Sequence, residues 1–389
     1  MVVPTSQEAV AERAYMREML SDSADSFARG ELGPHVTRSW RGRVPPFDLE
    51  RWKSLAAMGW TGLLIKEEFG GTNAGLQAAC AVLARLGPAL PPEPLVACAV
   101  LSAVVLDAAT PSLLRDQVLR RLADGAELPA LAHETPSRDD SGVQARRGEN
   151  SWTLNGQCRF VRPGRGATGW IVKAETEEGG ALFWVPSSSI PEHALEFEPL
   201  TDGGDCAWLR LSGIVVEPQY LLVEPAHTHL VIRRAIDAAL IASSAELLGV
   251  MRGAFALALD HLRNRRQFGV AIGSFQALQH RAVDLHLQHE LTSACVERAS
   301  RRFDEGADSE ELSLLAARSK ARAADAAVLT SRETIQFFGA MGYTDECDIG
   351  LYFKRSLSIA AWLGNASAQR QRYAQLRFAK QPVKGVSAS

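Results

Sequence analysis

Apolar residues in the first 128 positions recur about every 3.6 residues, which is the spacing of one face of a helix. Asp48 precedes the clearest of these patterns, and we expect its carboxylate to cap the first turn of a helix. Further helices are predicted over three segments: 77–86, 97–108 and 113–122. The second of them is apolar nearly all round, which predicts burial on every side. We therefore predict a helical N-terminal domain over residues 1–128.

The pattern changes at about residue 129, where short β-branched or alternating runs lie between Gly, Pro and Asp clusters. The predicted strands are 151–154, 170–173, 181–185, 208–211 and 214–216. They predict an antiparallel β domain over residues 129–228. One loop, 164–169, matches G-x-G-x-x-G, but a phosphate-binding loop of this kind requires a helix directly after it. Because residues 170–173 are strand-like, we predict a β-hairpin loop there and no dinucleotide site.

Helical spacing returns near residue 229 and continues along the rest of the chain. The pattern predicts four long helices: 232–262, 275–303, 312–338 and 350–378. The third is rich in Ala, which allows its neighbours to approach closely. Four long antiparallel helices form a bundle, so residues 229–389 are predicted to be a C-terminal four-helix bundle that can also pair with copies of itself. The fold class is α+β.

The composition bears on the possible ligands of the protein and on its cellular compartment. The chain has 389 residues with Lys+Arg 42 and Asp+Glu 45, so the net charge of -3 does not favour binding to nucleic acid. The six cysteines are scattered without a C-x-x-C pair, which indicates free thiols in a reducing compartment. No secretory leader or membrane span is recognised. We expect a cytoplasmic protein.

Two motifs carry candidate chemistry. The segment 265–269, Arg-Arg-Gln-Phe-Gly, lies where one predicted helix ends, and Phe275-Gln276 begins the next. A guanidinium at a helix end can bind a pyrophosphate through two hydrogen bonds, and the Gln276 amide can bind an adenine or ribose edge. The segment 336–344 ends the third helix with small residues, which leaves backbone N–H groups available to a phosphate. Each motif alone could also be an ordinary solvated helix junction.

The two motifs together, with Glu67-Glu68-Phe69-Gly70-Gly71 and the domain order, resemble the acyl-CoA dehydrogenase family. The resemblance implies a tetramer with FAD at subunit interfaces and electron transfer to an electron-transfer flavoprotein or a similar acceptor. It also implies that a glutamate removes the α-proton of a CoA thioester while a hydride passes to the flavin. The positions that would hold the ADP half of a neighbouring subunit's FAD are Arg265, Gln267, Phe268, Gln276, Gln336, Phe337, Gly339 and Ala340.

The residues that would serve the subunit's own flavin depart from the family pattern. The usual base lies in an E-G-T segment, but Leu363 stands at that position here, and the alternative position on the first bundle helix is Ala239. In the β domain, His133 replaces a hydroxyl residue. Phe160 replaces the Trp beside the flavin, and Arg162 replaces a Thr near its reactive nitrogen. A large cation at position 162 is expected to crowd the ring or, in a changed site, to stabilise it.

The leading hypothesis is therefore the FAD-sharing, non-catalytic partner of a homologous dehydrogenase subunit. Such heteromeric complexes often act on bulky acyl-CoA substrates such as sterol side chains. One alternative is a self-sufficient dehydrogenase with a relocated base, for which Glu246 is the candidate. Another is a non-enzymatic scaffold that keeps only the assembly surface.

Other polar residues are predicted to have no catalytic role. His286, His289 and Glu290 lie on one predicted helix, but no third ligand has matching spacing, so no metal site is predicted. The basic pair Arg370 and Arg372 is expected to face water.

Overall fold

The computed structural model describes residues 6–135 and 141–378. Its N-terminal part is helical, as predicted. The helices are α1 (Ser6–Glu31), α2 (Pro34–Trp40), α3 (Leu49–Ala57), α4 (Leu76–Leu86), α5 (Ala103–Ala108) and α6 (Leu113–Ala123). A π-helix over Val96–Ser102 runs directly into α5, and all its residues are buried. The Asp48 cap is confirmed, because its carboxylate accepts from the backbone N–H of Glu50 at 2.9 Å.

Within the described residues, the β domain has eight strands: β1 (Pro129–Ala132), β2 (Val143–Arg147), β3 (Trp152–Val161), β4 (Gly169–Thr176), β5 (Gly179–Pro186), β6 (Leu195–Pro199), β7 (Asp205–Val216) and β8 (Leu221–Val223). They form one sheet in the order β6-β7-β3-β2-β4-β5-β8, with β1 beside β4. Most neighbours are antiparallel, as predicted, but β1 and β2 both run parallel to β4.

For the glycine-rich loop 164–169, the predicted absence of a following helix is confirmed, but the predicted β-hairpin is wrong. Strand β4 follows it directly, so no helix N-terminus is available to bind a phosphate there. The loop is not a hairpin, however, because β2 separates β3 from β4 in the sheet. The connection instead crosses one end of the sheet, and Asp205 on β7 binds it through the backbone N–H of Arg165 at 3.0 Å.

The C-terminal part is a bundle around α9. Its helices are α7 (Pro225–Asn264), α8 (Gln276–Asp304), α9 (Ser309–Phe338), α10 (Ile349–Ala361) and α11 (Ala366–Phe378). The prediction of one continuous fourth helix is wrong, because the chain breaks between α10 and α11. At that break Leu363 and Gly364 have φ angles of 58° and 92°, a left-handed conformation that ends a helix. The alanines of α9 are buried and let α7 pack closely against it.

Helix α7 is long and apolar enough to cross a membrane by composition alone. In the fold, 78% of its most apolar window is buried inside the protein. Its Ala238–Leu240 segment belongs to the same apolar cluster as Trp52 of the N-terminal helices and Ile171 of the sheet. The apolar character of α7 is therefore accounted for by its place at the centre of all three domains.

Close backbone contacts fix the N-terminal domain on the bundle. A Cβ atom on Gly249 of α7 would lie 2.7 Å from the carbonyl oxygen of Ala84, so only glycine fits this crossing. At the far end of α8, the Asp304 carboxylate accepts from the backbone N–H groups of Leu76 at 2.7 Å and Gln77 at 2.9 Å. It thereby caps α4 from another domain.

Replacing this cap is expected to destabilise the protein. Asp304→Ala leaves two N–H groups of α4 without their acceptor, which should lower the free energy of unfolding by about 1–2 kcal/mol. Asp284→Ala, at an exposed position on the same helix, is the control and should have little effect. Urea unfolding of the two variants measures the difference. Equal transition midpoints would show that the cap does not stabilise the domain contact.

Candidate functional site

The first motif forms a small hairpin between α7 and α8. Strand β9 (Arg266–Gln267) pairs with β10 (Val270–Ala271), and Phe268 and Gly269 make the turn with φ angles of 53° and 81°. The Phe268 ring is 92% exposed, which is unusual for so large an apolar side chain in a folded domain.

The polar side chains around this hairpin are available for binding. Arg265, Gln267 and Gln276 are all exposed. Among the described residues, no hydrogen bond or ion pair involves the Arg265 guanidinium or the two side-chain amides. The hairpin therefore presents a cation, two amides and an aromatic ring to the surroundings.

The second motif lies at the end of α9. Gln336 is exposed and donates through Nε2 to the Tyr343 hydroxyl at 2.7 Å. Gly339 ends the helix with a φ of 63°, and both it and Ala340 are exposed. Phe337 differs from the expectation, because its side chain is only 5% exposed. Any contribution of that residue to a cofactor would have to come from its backbone.

The two motifs share one supporting cluster. Phe338 of α9 stacks on His261 of α7 with ring centroids 4.2 Å apart. Ile272, which follows the hairpin, packs with Phe338 against the same small core around Leu262. Two segments some 70 residues apart in sequence are thus held side by side, which the sequence motifs alone could not establish.

The turn between α10 and α11 contains Leu363, the position at which the resemblance places the catalytic carboxylate. Gln369 holds it by donating to the Leu363 carbonyl oxygen at 2.6 Å. The Leu363 side chain lines a cavity of about 710 Å³ between the sheet and the helices. Ala239, the other position considered for a base, is fully buried in α7. Neither residue can accept a proton.

The cavity beside Leu363 contains polar atoms that lack partners. Gln369 Oε1, Arg372 Nη1 and His133 Nδ1 are buried without a hydrogen bond. Burial lowers the pKa of His133 to about 4, so its imidazole is neutral at pH 7. Arg372 does not face water as expected, because it pairs with the buried Asp237 at 2.6 Å. The cavity is suited to an amphipathic ligand that supplies both donors and acceptors.

The only carboxylate among the described residues that line this cavity is Glu175, and Lys173 binds it at 2.6 Å. The described lining of the cavity therefore offers no unpaired carboxylate.

A second, narrower cavity lies on the other side of the same turn. It is lined by Trp362, Arg162 and Glu246, among others. The Arg162 guanidinium carbon lies 5.3 Å from the centre of the Trp362 ring, and Nη2 donates to the Ser358 carbonyl oxygen at 3.4 Å. Phe160, two residues earlier, has a left-handed φ of 61° and is 42% exposed.

Glu246 is part of a buried ion cluster. Its Oε1 accepts two hydrogen bonds from Arg355, one of them from Nε at 3.1 Å. Nη1 of the same arginine donates to Asp202 at 2.8 Å. Although burial opposes the ionisation of Asp202, Arg355 and Arg162 outweigh it and lower the pKa of this carboxyl group. The cluster is a fixed network of two acids and two arginines.

The candidate metal ligands are not brought together. His289 is buried against the ring of Phe255, with centroids 5.0 Å apart, whereas His286 on the same helix is exposed. Within residues 6–135 and 141–378, no group of three or more His, Cys, Asp or Glu side chains is arranged to hold a metal ion.

Two family models match the chain. The acyl-CoA dehydrogenase N-terminal domain matches residues 16–126, and the acyl-CoA dehydrogenase C-terminal domain matches residues 230–376. The chain belongs to the acyl-CoA dehydrogenase family. Acyl-CoA dehydrogenases bind FAD, and the family is one of oxidoreductases in lipid metabolism.

Individual relatives agree with this assignment. Acyl-CoA dehydrogenase IpdE2 of Mycobacterium tuberculosis is 28% identical over 341 residues, which cover 87% of this chain and 90% of the relative. The solved structure of the Tcur3481-Tcur3483 steroid ACAD has a TM-score of 0.84 and 25% identity, covering 94% of this chain and 99% of its own. The ChsE4-ChsE5 complex from Mycobacterium tuberculosis has the same fold, with a TM-score of 0.85, 23% identity and coverage of 94% and 98%.

The exposed motifs and the position of Arg162 differ in the chemistry that they offer to a cofactor. The exposed guanidinium of Arg265 and the amides of Gln267 and Gln276 have the chemistry to hold an adenine nucleotide. The position that the resemblance assigns to the flavin ring departs from the family pattern. Where a small hydrogen-bond donor is expected there, the Arg162 guanidinium lies against the Trp362 ring.

The sequence motifs did not reveal Arg355, Asp202 or Trp362. Each becomes significant only through contacts with residues more than 100 positions away in sequence. The adjacent Arg-Pro pair at 162–163 and the Leu-Gly pair at 363–364 were the local signals available.

The ion cluster predicts a large effect of removing Glu246. Glu246→Ala leaves Arg355 buried with one carboxylate partner, which should lower the free energy of unfolding by about 3 kcal/mol. Glu333→Ala is the control, because its pair with Arg281 is partly exposed and should contribute about 1 kcal/mol or less. Denaturant unfolding measures both. A Glu246→Ala protein as stable as the control would contradict a structural role for the cluster.

Proposed function

We propose that this chain is the FAD-sharing, non-catalytic subunit of a heteromeric acyl-CoA dehydrogenase that introduces an α,β double bond into a CoA thioester. The observation that carries the proposal is the contrast between two surfaces. Leu363 occupies the turn where the resemblance places the catalytic carboxylate. The motifs that the resemblance assigns to the nucleotide, by contrast, are present in the sequence, and their Arg265 and Gln336 are exposed.

The missing base has a definite kinetic consequence. General-base catalysis contributes roughly 10²–10⁴ in rate, which is about 3–5 kcal/mol of activation free energy. The alkyl side chain of Leu363 cannot accept the α-proton. Glu246 cannot readily replace it, because both hydrogen bonds from Arg355 hold its carboxylate in the ion cluster. We therefore expect proton abstraction to depend on a homologous subunit that carries the glutamate.

In the assembled enzyme, bound FAD supplies the hydride acceptor. Arg265 would bind a phosphate of its nucleotide half, Gln267 and Gln276 would bind polar edges, and Phe268 would provide an apolar surface. Backbone N–H groups near Gly339 and Ala340 would add donors. All these residues are exposed on the surface of the chain, which favours a cofactor shared with a neighbouring chain.

A solved relative suggests the kind of partner and the class of substrate. A solved relative at 25% identity, the Tcur3481-Tcur3483 steroid ACAD, is named as a pair of proteins and as acting on steroids. We propose a comparable pairing in a tetramer, with a bulky acyl-CoA as substrate. An electron-transfer flavoprotein or a similar acceptor would reoxidise the flavin, and the cytoplasm is the proposed location.

The first test is purification of the chain alone and together with a neighbouring homologue that has the glutamate. Alone, the protein should hold little FAD and should not dehydrogenate acyl-CoA. The joint complex should be yellow and active, as measured by flavin absorbance and reduction of an artificial electron acceptor. If the lone chain binds stoichiometric FAD and is active, the proposal is wrong. If the complex is colourless, the chain is a scaffold.

A second test concerns the shared nucleotide site. Arg265→Ala in the complex removes a charge-assisted hydrogen bond, which should weaken FAD binding by about 2 kcal/mol, or roughly thirtyfold. Arg263→Ala is a matched control, because Arg263 lies two residues away and pairs with Asp260 of its own helix at 3.4 Å. Titration of the apo-complex with FAD compares the two. Equal losses would argue against a specific role for Arg265.

The same complex also tests the relocated base. Glu246→Gln should leave turnover unchanged once the protein is folded, because the partner supplies the base. Turnover that disappears while FAD remains bound would identify Glu246 as catalytic.

A further inference from the structure

Arg162 bridges the β domain and the bundle at the position of the flavin ring. It follows β3, whose last residue, Val161, is buried in the sheet core. From this anchor its guanidinium reaches α10, donating to the Ser358 carbonyl oxygen, and lies against the Trp362 ring. Both contacts span about 200 residues of sequence and join the β domain to α10. These are the two walls of the narrower cavity, which is called the cleft from here on.

The charge of Arg162 is balanced inside the protein. The carboxylates that interact with it are Asp202, Glu246 and Glu134, and the nearby basic groups are Arg355 and Lys320. Burial lowers the pKa of Arg162, but a guanidinium remains protonated at any pH compatible with a folded protein. Displacing Arg162 would therefore leave two buried carboxylates with Arg355 as their remaining arginine.

These contacts leave little room for a planar ring in the narrower cavity that Arg162 and Trp362 line. A flavin ring placed there would have to separate Arg162 from Trp362 and break the Ser358 hydrogen bond. The neighbouring turn cannot adjust easily, because Leu363 is fixed by Gln369 at 2.6 Å. The cleft is thus closed from both sides by residues of this chain.

We infer that Arg162 closes the flavin-ring cleft of this subunit and thereby restricts FAD to the cleft of the partner subunit. This inference rests on the proposed function and adds the residue that sets cofactor stoichiometry. The opposite possibility is that Arg162 stabilises a flavin bound in its own cleft. The two possibilities predict opposite effects of a smaller residue at position 162. Bound FAD should increase if Arg162 closes the cleft and decrease if Arg162 stabilises the flavin.

The test replaces Arg162 with threonine, the small donor that the family resemblance places there. In the complex with the glutamate-bearing homologue, Arg162→Thr should raise bound FAD from one towards two per pair of unlike chains. For the added site, the apparent Kd for FAD should fall about tenfold or more. Flavin absorbance after equilibrium dialysis and quenching of flavin fluorescence measure both quantities without reference to activity.

Arg159→Thr is the matched control. Arg159 lies on the same strand and also stacks on a tryptophan, Trp208, with 4.6 Å from its guanidinium carbon to the ring centre. It pairs with Glu198 on the sheet surface and should leave FAD stoichiometry unchanged. If Arg162→Thr does not fold, as judged by circular dichroism, Arg162→Ala serves the same purpose.

Each outcome is decisive. A gain of FAD with Arg162→Thr alone supports closure. No change, a loss of FAD, or an equal gain with Arg159→Thr overturns it. The proposed function is judged separately on the wild-type chain, by whether it binds FAD and turns over without its partner. A wild-type chain that is active alone would therefore refute the proposed function even if Arg162→Thr altered FAD binding.

Discussion

The guanidinium of Arg355 joins all three domains at one point. It donates to the Pro91 carbonyl oxygen of the N-terminal domain at 3.1 Å, to Asp202 of the β domain at 2.8 Å and to Glu246 on α7. Since a buried arginine does not lose its proton, these acceptors must stay together while the chain is folded. The placement of the sheet over the bundle, and hence of every residue in the cleft between them, depends on this contact.

A second buried basic side chain holds the C-terminal end of α10, and burial lowers the pKa of this group, Lys320, to about 7. Lys320 of α9 is fully buried and donates to the Ile359 carbonyl oxygen at 2.6 Å and to the Ser243 hydroxyl at 3.2 Å. Helix α10 is therefore held near its middle by Arg355 and near its end by Lys320. The turn at Leu363 follows directly, so an alkyl side chain is presented at a rigid position. The turn at Leu363 is thus held in place, although its side chain offers no proton acceptor.

Much of the fold could be predicted from local patterns. The helical spacing, the Asp48 cap and the strand-like runs identified the element types, because each depends on neighbours a few residues away. The break of the last helix at Leu363 was missed, since a left-handed leucine is imposed by tertiary contacts. The parallel pairing of β1 and β2 with β4 was missed for the same reason, because strand order is set by long-range packing.

The candidate site could be predicted only where it is exposed. The Arg265 and Gln336 motifs lie at helix ends and keep their spacing in the sequence, whereas the partners of Arg162 and Glu246 lie in other domains. A motif can show that a carboxylate is missing at position 363, but it cannot show what occupies the space instead. Leu363 itself lines the larger cavity, and on the other side of its turn the charged side chains of the ion cluster are paired with one another. In a protein interior, a self-neutralised cluster of this kind is difficult to open, and for that reason the proposed closure of the cleft agrees with the proposed role of a non-catalytic subunit.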